Sequence, residues 1–380
     1  MSASALLLSV PGLLAEDLMP LIDAGKLPRL RDLIEGGALG FVREAPGTNI
    51  TQQVWTIATG VAPEAHGVPG PYAVMPGKCG IHPIGRDDSR AAPLWEVSAR
   101  QGLRSCAIAW PGTQDSGGGD LRVVTDDIHV PFGAGRAAWP LLPGIVHPND
   151  WEAALRDLRV HPTEIASAEV DFFVGESGEP AERYRIAEAV AAAATVQAVT
   201  LHALADGGFR LIASHFDFLD RLRRLRSGAP EHIPPMALAS GYRFLDLLAG
   251  HLRRTRPEAT LILASPSAPR GPGVIAPGLL ILNGPDVAAD VLLGDVSLRD
   301  VAPAALHCAE AALPKNLSLP AWERAWKIAK PIREAPSEAL SQDEPAAWAL
   351  EEMRRLGLQP TPLLASFRRQ IERLERESIA

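Results

Sequence analysis

Residues 4–18 read "SALLLSVPGLLAEDL", an apolar run closed by a Pro11-Gly12 turn and followed by a helical pattern. A continuous rather than alternating apolar run marks a strand buried on both faces. The residue just beyond such a strand sits at the carboxyl end of a sheet, where α/β proteins place their ligands. Here that place holds Pro11, which neither ionises nor binds a metal.

The same rhythm recurs along the chain. Apolar runs at 104–110 ("RSCAIAW"), 210–216 ("RLIASHF"), 259–265 ("ATLILAS") and 278–284 ("GLLILNG") alternate with helix-like segments. The segments "DLIEGG" and "ALADGG" end in the glycine expected just past a helix C-terminus. The pattern predicts an α/β fold: a mostly parallel central sheet with helices on both faces. Residues 130–185, rich in Gly, Pro and short turns, interrupt it and are expected to form a cap insert. The core is then 1–129 with 186–360, and 361–380 an amphipathic helix spacing Leu364, Phe367, Ile371 and Leu374 on one side. That helix is expected to dock on the domain or on a second copy of the chain.

Bulk properties narrow the function. With 380 residues, 47% hydrophobic and 22% charged, a sizeable core forms. A net charge of −8 argues against nucleic acid or an anionic membrane as the main partner. No window holds 18 uninterrupted apolar residues, so no membrane span is expected. The start lacks the basic segment and cleavage site of a signal peptide. Cys79, Cys106 and Cys308 have no metal-binding spacing and fit reduced thiols in the cytoplasm.

The most specific text is residues 25–68, "GKLPRLRDLIEGGALGFVREAPGTNITQQVWTIATGVAPEAHGV". Pro28, Leu30, Leu33, Gly36, Thr59, Gly60, Pro63, His66 and Gly67 fill a frame that resembles the type I phosphodiesterase/nucleotide pyrophosphatase group of the alkaline phosphatase superfamily. Similar text continues in order at 92–113, 123–128, 160–165, 216–222, 241–252, 262–267, 279–287 and 300–314, and closes at 353–358. The resemblance implies the fold already inferred. It also implies two divalent ions, usually zinc, that activate a threonine or serine hydroxyl for attack on phosphorus.

Each position that the resemblance assigns to that chemistry has a counterpart in this sequence. The aspartate after the first strand corresponds to Pro11. Counting back from Gly60 places Ile50 at the nucleophile, with Thr51 serving if the loop is shifted by one residue. The other reading is that Thr48, Asn49 and Thr51 cap the following helix. The Asp-x-x-x-His pair reads Asp220 and Arg224, and arginine has no lone pair for a cation. Asp220 and Arg224 then form an ion pair, or Arg224 receives an anionic group. The Ser-Asp-His-Gly turn reads Ser265-Pro266-Ser267-Ala268. Finally, no His, Asp or Cys lies between Leu252 and Pro285, where the family's last histidine falls.

Other groups offer less. His66 is a turn residue in the family frame, and the remaining histidines form no metalloenzyme spacing. Asp126-Asp127 follow a strand-like run and face the ligand edge. The run "RLRRLRSG" at 221–228 reads as a solvated helix face or an anion-binding one.

The expected protein has no metal cofactor and is a non-catalytic binding or scaffold partner. Its candidate site is Thr48, Asn49, Thr51, His66, Asp220, Arg224 and Ser267, and its partner is an anionic small molecule or another protein. The alternatives are a metal-independent transferase or hydrolase in the same cleft, or a phosphodiesterase with unorthodox ligands.

Overall fold

The computed structural model describes residues 5–44, 47–74, 81–114, 117–131, 133, 135–175, 179–228, 235–271, 274–320, 322–327 and 334–335. Cys79, the closing family segment at 353–358 and the expected C-terminal helix at 361–380 lie outside the described residues.

The chain is built on a nine-stranded sheet. In sequence its strands are β1 (Ala5–Ser9), β2 (Ala38–Val42), β3 (Ser105–Trp110), β4 (Leu121–Thr125) and β5 (Val146–His147). They continue with β6 (Leu211–His215), β7 (Thr260–Ala264), β8 (Gly278–Asn283) and β9 (Val291–Val296). In space the order is β9-β2-β8-β7-β1-β6-β3-β4-β5. Every neighbouring pair is parallel except those made by β8 and by β5. The sheet is therefore mostly parallel, as the buried apolar runs require.

Side chains alternate between two cores. Leu6, Leu8, Cys106, Ile108, Leu261 and Leu263 face one side, and Leu7, Ala107, Trp110, Ile262 and Ala264 face the other. The first side is covered by α1 (Ala15–Asp23), α2 (Pro28–Glu35), α7 (Pro180–Asp206) and α9 (Pro235–Thr255). The second is covered by α3 (Ile50–Thr59), α4 (Leu94–Ala99) and α10 (Val301–Cys308). Each leucine buried in these layers contributes about 1.5–3 kcal/mol, so the two-sided packing dominates the stability.

Local signals set the ends of these helices. Pro28 and Pro180 occupy first-turn positions, where no amide hydrogen is needed. α7 is long and apolar enough to cross a bilayer, yet 61% of its apolar window is buried inside the molecule. Val196, Val199 and Ala203 pack it against the sheet, so it serves as a core helix.

The segment 130–185 divides. Its β5 is hydrogen-bonded to β4, and Ile145, Val146, Trp151 and Leu155, in or next to β5 and α5 (Glu152–Leu158), join the main core. Val170, Phe173 and Val174 of α6 (Ser167–Val174) instead form a small core with the start of α7, α8 (Phe218–Gly228) and α9. Part of the expected cap is thus continuous with the sheet. The reason is that Val146 supplies an apolar residue for the otherwise open edge of β4.

Candidate functional site

The parallel strands β1, β3, β4, β6 and β7 end on one edge. The turn after β1 is tied to β7 by the Val10 amide, which donates to the Ala264 carbonyl at 2.8 Å. Gly12 has φ +89°, and a Cβ there would lie 2.7 Å from the Asp220 amide nitrogen. Only glycine allows the start of α8 to approach this closely. The fold thereby gathers Pro11, Asp220, Arg224, Pro266 and Ser267 around one edge, although they are far apart in sequence.

Side-chain partners define what each of these residues can do. The Arg224 guanidinium lies 2.9 Å from the Asp220 carboxylate, one helical turn away. Burial raises the Asp220 carboxyl above the usual range, Arg224 opposes that rise, and the Asp217 charge adds to it. Ser267 Oγ accepts from the Glu44 amide at 3.3 Å and donates to Gln53 Oε1 at 3.4 Å, so it is bound to α3.

The α3 N-terminus is a capping box. Asn49 Oδ1 accepts from the Gln52 amide at 3.0 Å, and Gln52 Oε1 accepts from the Asn49 amide at 3.1 Å. Asn49 Nδ2 donates to the Pro69 carbonyl at 2.9 Å, so both ends of this side chain are engaged in structure. The Thr48 carbonyl accepts from Gln53 Nε2 at 3.4 Å. Thr51 lies in the first turn of α3 and is 7% exposed.

His66 is fully buried beside that helix rather than at the strand edge. Its Nδ1 accepts from the Val68 amide at 3.1 Å, which puts the ring proton on Nε2, 3.4 Å from Thr56 Oγ1. Burial lowers its pKa to about 3, so it is neutral and holds a turn.

A second polar group stands on the same edge. Ser9, His215, Trp110 and Thr125 end the adjacent strands β1, β6, β3 and β4. Ser9 Oγ and His215 Nδ1 are 3.1 Å apart, and the His215 and Trp110 ring centroids 5.7 Å. Ala109 has φ +54° and lies in a register shift of β3. Ile108 and Ala109 then share one face and Trp110 turns to the other. A β-bulge with a left-handed alanine costs about 1–2 kcal/mol and commonly marks a ligand-bearing edge.

Beyond the strands, Arg221 Nε donates to Asp217 Oδ1 at 2.7 Å. Gln114 Nε2 donates to Asp126 Oδ1 at 3.0 Å and Asp127 Oδ2 at 3.2 Å. Burial, then the charge of Asp127, pushes the Asp126 carboxyl up to about 7. Burial also holds His129 and His215 near 4. Burial alone would raise Asp217, but Arg221 and then His129 hold it below the usual carboxylate range. A carboxyl titrating near neutrality, two neutral imidazoles and an ionised carboxylate are groups of the kind that pass protons. Among the described residues, buried Trp110 Nε1, Thr125 Oγ1 and His129 Nδ1 have no hydrogen-bond partner, so the cluster has capacity for water or a polar ligand.

Sequence spacing does not reveal this group, because its members come from four strand ends and one helix. The available signal is positional: each polar residue closes or follows an apolar run. Within the arginine run at 221–228, Arg221 and Arg223 are held inward rather than on a solvated face. Arg223 Nε donates to the Gly12 carbonyl at 2.9 Å, and Arg223 also pairs with Asp17. Among the described residues, no group of three or more His, Cys, Asp or Glu is arranged to hold a metal ion.

The type I phosphodiesterase/nucleotide pyrophosphatase family model matches residues 5–265, more than half of the chain. The chain belongs to this family. Its nine-stranded, mostly parallel sheet agrees with the alkaline-phosphatase-like architecture expected of a family member. A search of curated proteins finds no matching relative. Family membership supplies the scaffold, and the chemistry depends on the residues mounted on it.

Proposed function

We propose that this family member has lost the bimetal centre and acts as a non-catalytic binding or scaffold partner. The observation that carries the reading is the Asp220–Arg224 ion pair at 2.9 Å. Among Pro11, Asp220, Arg224, Pro266 and Ser267, which stand at the family's ligand positions, Asp220 alone keeps a ligand-type side chain, and its charge is already met by a guanidinium. Pro11 and Pro266 offer no side-chain donor, and Ser267 Oγ is bound to α3. Two dications need several anionic or imidazole ligands to replace hydration and offset their mutual repulsion. These residues do not fit a pair of zinc ions. The partner is an anionic small molecule or another protein, in a cytoplasmic setting.

The test is metal analysis of the purified full chain together with turnover of a bis-aryl phosphodiester. The expected result is no stoichiometric zinc and no turnover. Stoichiometric zinc with turnover abolished by Thr51→Ala would overturn the reading.

One observation favours a second reading, a metal-independent enzyme in the same cleft: the Asp126–His129–His215–Asp217 cluster. It requires turnover of a phosphorylated metabolite in the presence of chelator, lost in His215→Gln. Absence of any such turnover across a metabolite panel counts against it.

A further inference from the structure

The left-handed Ala109, at φ +54°, sits in the register shift between Ile108 and Trp110. Regular alternation from Ile108 would turn Trp110 to the first side of the sheet, and the bulge turns it to the second. There it stands across from Thr125, its register partner on β4, and 5.7 Å from the His215 ring. Leu121 and Val123 of β4 face the second side too, so alternation brings Thr125 onto it. A strained backbone thus aims an indole N–H at the ends of β6 and β4.

That N–H meets nothing in the protein. Trp110 Nε1 is buried and, among the described residues, has no hydrogen-bond partner. The same holds for Thr125 Oγ1, Gln114 Oε1 and His129 Nδ1. The four atoms belong to one patch. Thr125 leads directly into the 3-10 turn Asp126–His129, and Gln114 Nε2 donates to Asp126 and Asp127 of that turn at 3.0 and 3.2 Å. Those two bonds orient the amide and leave its oxygen unmet. An unmet buried polar atom is costly, and four in one patch point to a group from outside the chain. The turn gives access: Asp127 is exposed, and Asp126 and Asp217 are half-buried.

The atoms themselves set the chemistry of that group. An indole N–H only donates, an amide oxygen only accepts, and a hydroxyl or a neutral imidazole does either. An anion has no hydrogen for Gln114 Oε1 and would stand beside Asp127 and Asp217. An ammonium has no lone pair for Trp110 Nε1. A hydroxyl supplies both from one atom, and further hydroxyls donate to the carboxylates at the mouth.

We propose that Trp110, Gln114, Thr125 and His129 form a binding site for a neutral polyol, whose hydroxyl groups meet the four unpartnered atoms. The site rests on the cluster that favours the metal-independent reading, but it requires binding alone.

The full chain, isotopically labelled at tryptophan nitrogen, is titrated with erythritol, D-glucose and myo-inositol, and with D-gluconate as the charged comparison. Trp110→Phe identifies the Trp110 indole signal by its loss, and calorimetry of the same titrations gives affinities independent of that assignment. The signal is expected to move saturably with at least one polyol, and gluconate to bind about tenfold more weakly or not at all. Thr125→Val keeps the side-chain shape and removes the hydroxyl. Its thermal midpoint should match or exceed that of wild type, because the free protein loses no hydrogen bond, while polyol binding weakens about tenfold. The proposal is overturned if no polyol moves the signal, which leaves water alone in the patch. It is also overturned if Thr125→Val loses stability or binds like wild type, or if gluconate binds as tightly as the best polyol. Polyol binding without turnover of any metabolite would remove the enzyme reading and leave this site standing.

Discussion

Arg224 meets Asp220 at 2.9 Å across one turn of α8, where the family's pattern has a histidine four residues after the aspartate. The pair places a fixed cation where a neutral imidazole would offer a lone pair. Arg224→His alone should therefore fail to recruit stoichiometric zinc, because Pro11, Pro266 and Ser267 still lack ligands of the required type. Adding Pro11→Asp, Pro266→Asp and Ser267→His should raise zinc content well above that of the single variant. Metal analysis of the two proteins gives the comparison, and equal zinc in both argues against these positions forming one centre.

Gly12 is held at φ +89° against the start of α8. Gly12→Ala adds a strained backbone and a contact of 2.7 Å with the Asp220 amide nitrogen. It should cost about 2–5 kcal/mol of stability. Urea denaturation reads this directly, and a loss below about 1 kcal/mol would show that the turn and helix separate easily.

Asn49 caps α3 through Oδ1, and its Nδ2 ties the cap to the Pro69 carbonyl. Asn49→Ala should lower stability by about 1–2 kcal/mol, while Asn49→Asp, which keeps the acceptor, recovers most of it. Thermal unfolding of the two variants distinguishes capping from ligand binding. Equal stability of the alanine variant and wild type would remove the capping argument.

Asp126 titrates near 7 in the fold, against an ordinary carboxyl value of 3.8. A raised carboxyl stabilises the fold below about pH 4, and that contribution is lost as pH rises through 7. Asp126→Asn should therefore be more stable than wild type at pH 8 by about 1–2 kcal/mol, reduced from the full shift by solvent screening. The advantage should shrink at pH 5, where wild-type Asp126 is protonated. His129 and His215 act in the opposite sense: their stabilisation is present above about pH 6.5 and falls as pH drops toward 4. Denaturation of both proteins at the two pH values isolates the Asp126 contribution, and a pH-independent difference would contradict the assigned cause.

Much of the architecture is legible in the chain itself. The continuous apolar runs at β1, β3, β6, β7 and β8 announce a sheet buried on both faces, because such runs have no polar face to give to water. β2 and β9 carry no comparable signal. β9 is a partly exposed edge strand with Gly294 and Asp295 in its short run, so local propensity is weak and pairing with β2 makes it a strand. The family's frame and the substitutions at Pro11, Arg224, Pro266 and Ser267 are likewise determined by the sequence alone.

Only the tertiary structure decided what those residues do together. Asn49 and His66 stand in the sequence as site residues, and hydrogen bonds to Pro69 and Val68 engage their groups elsewhere. The Asp126–His215 cluster has no sequence spacing, since its members meet through strand order. Periodicity records which face of an element is buried. It does not record which strand ends become neighbours, and in this fold the candidate polar groups sit at those ends.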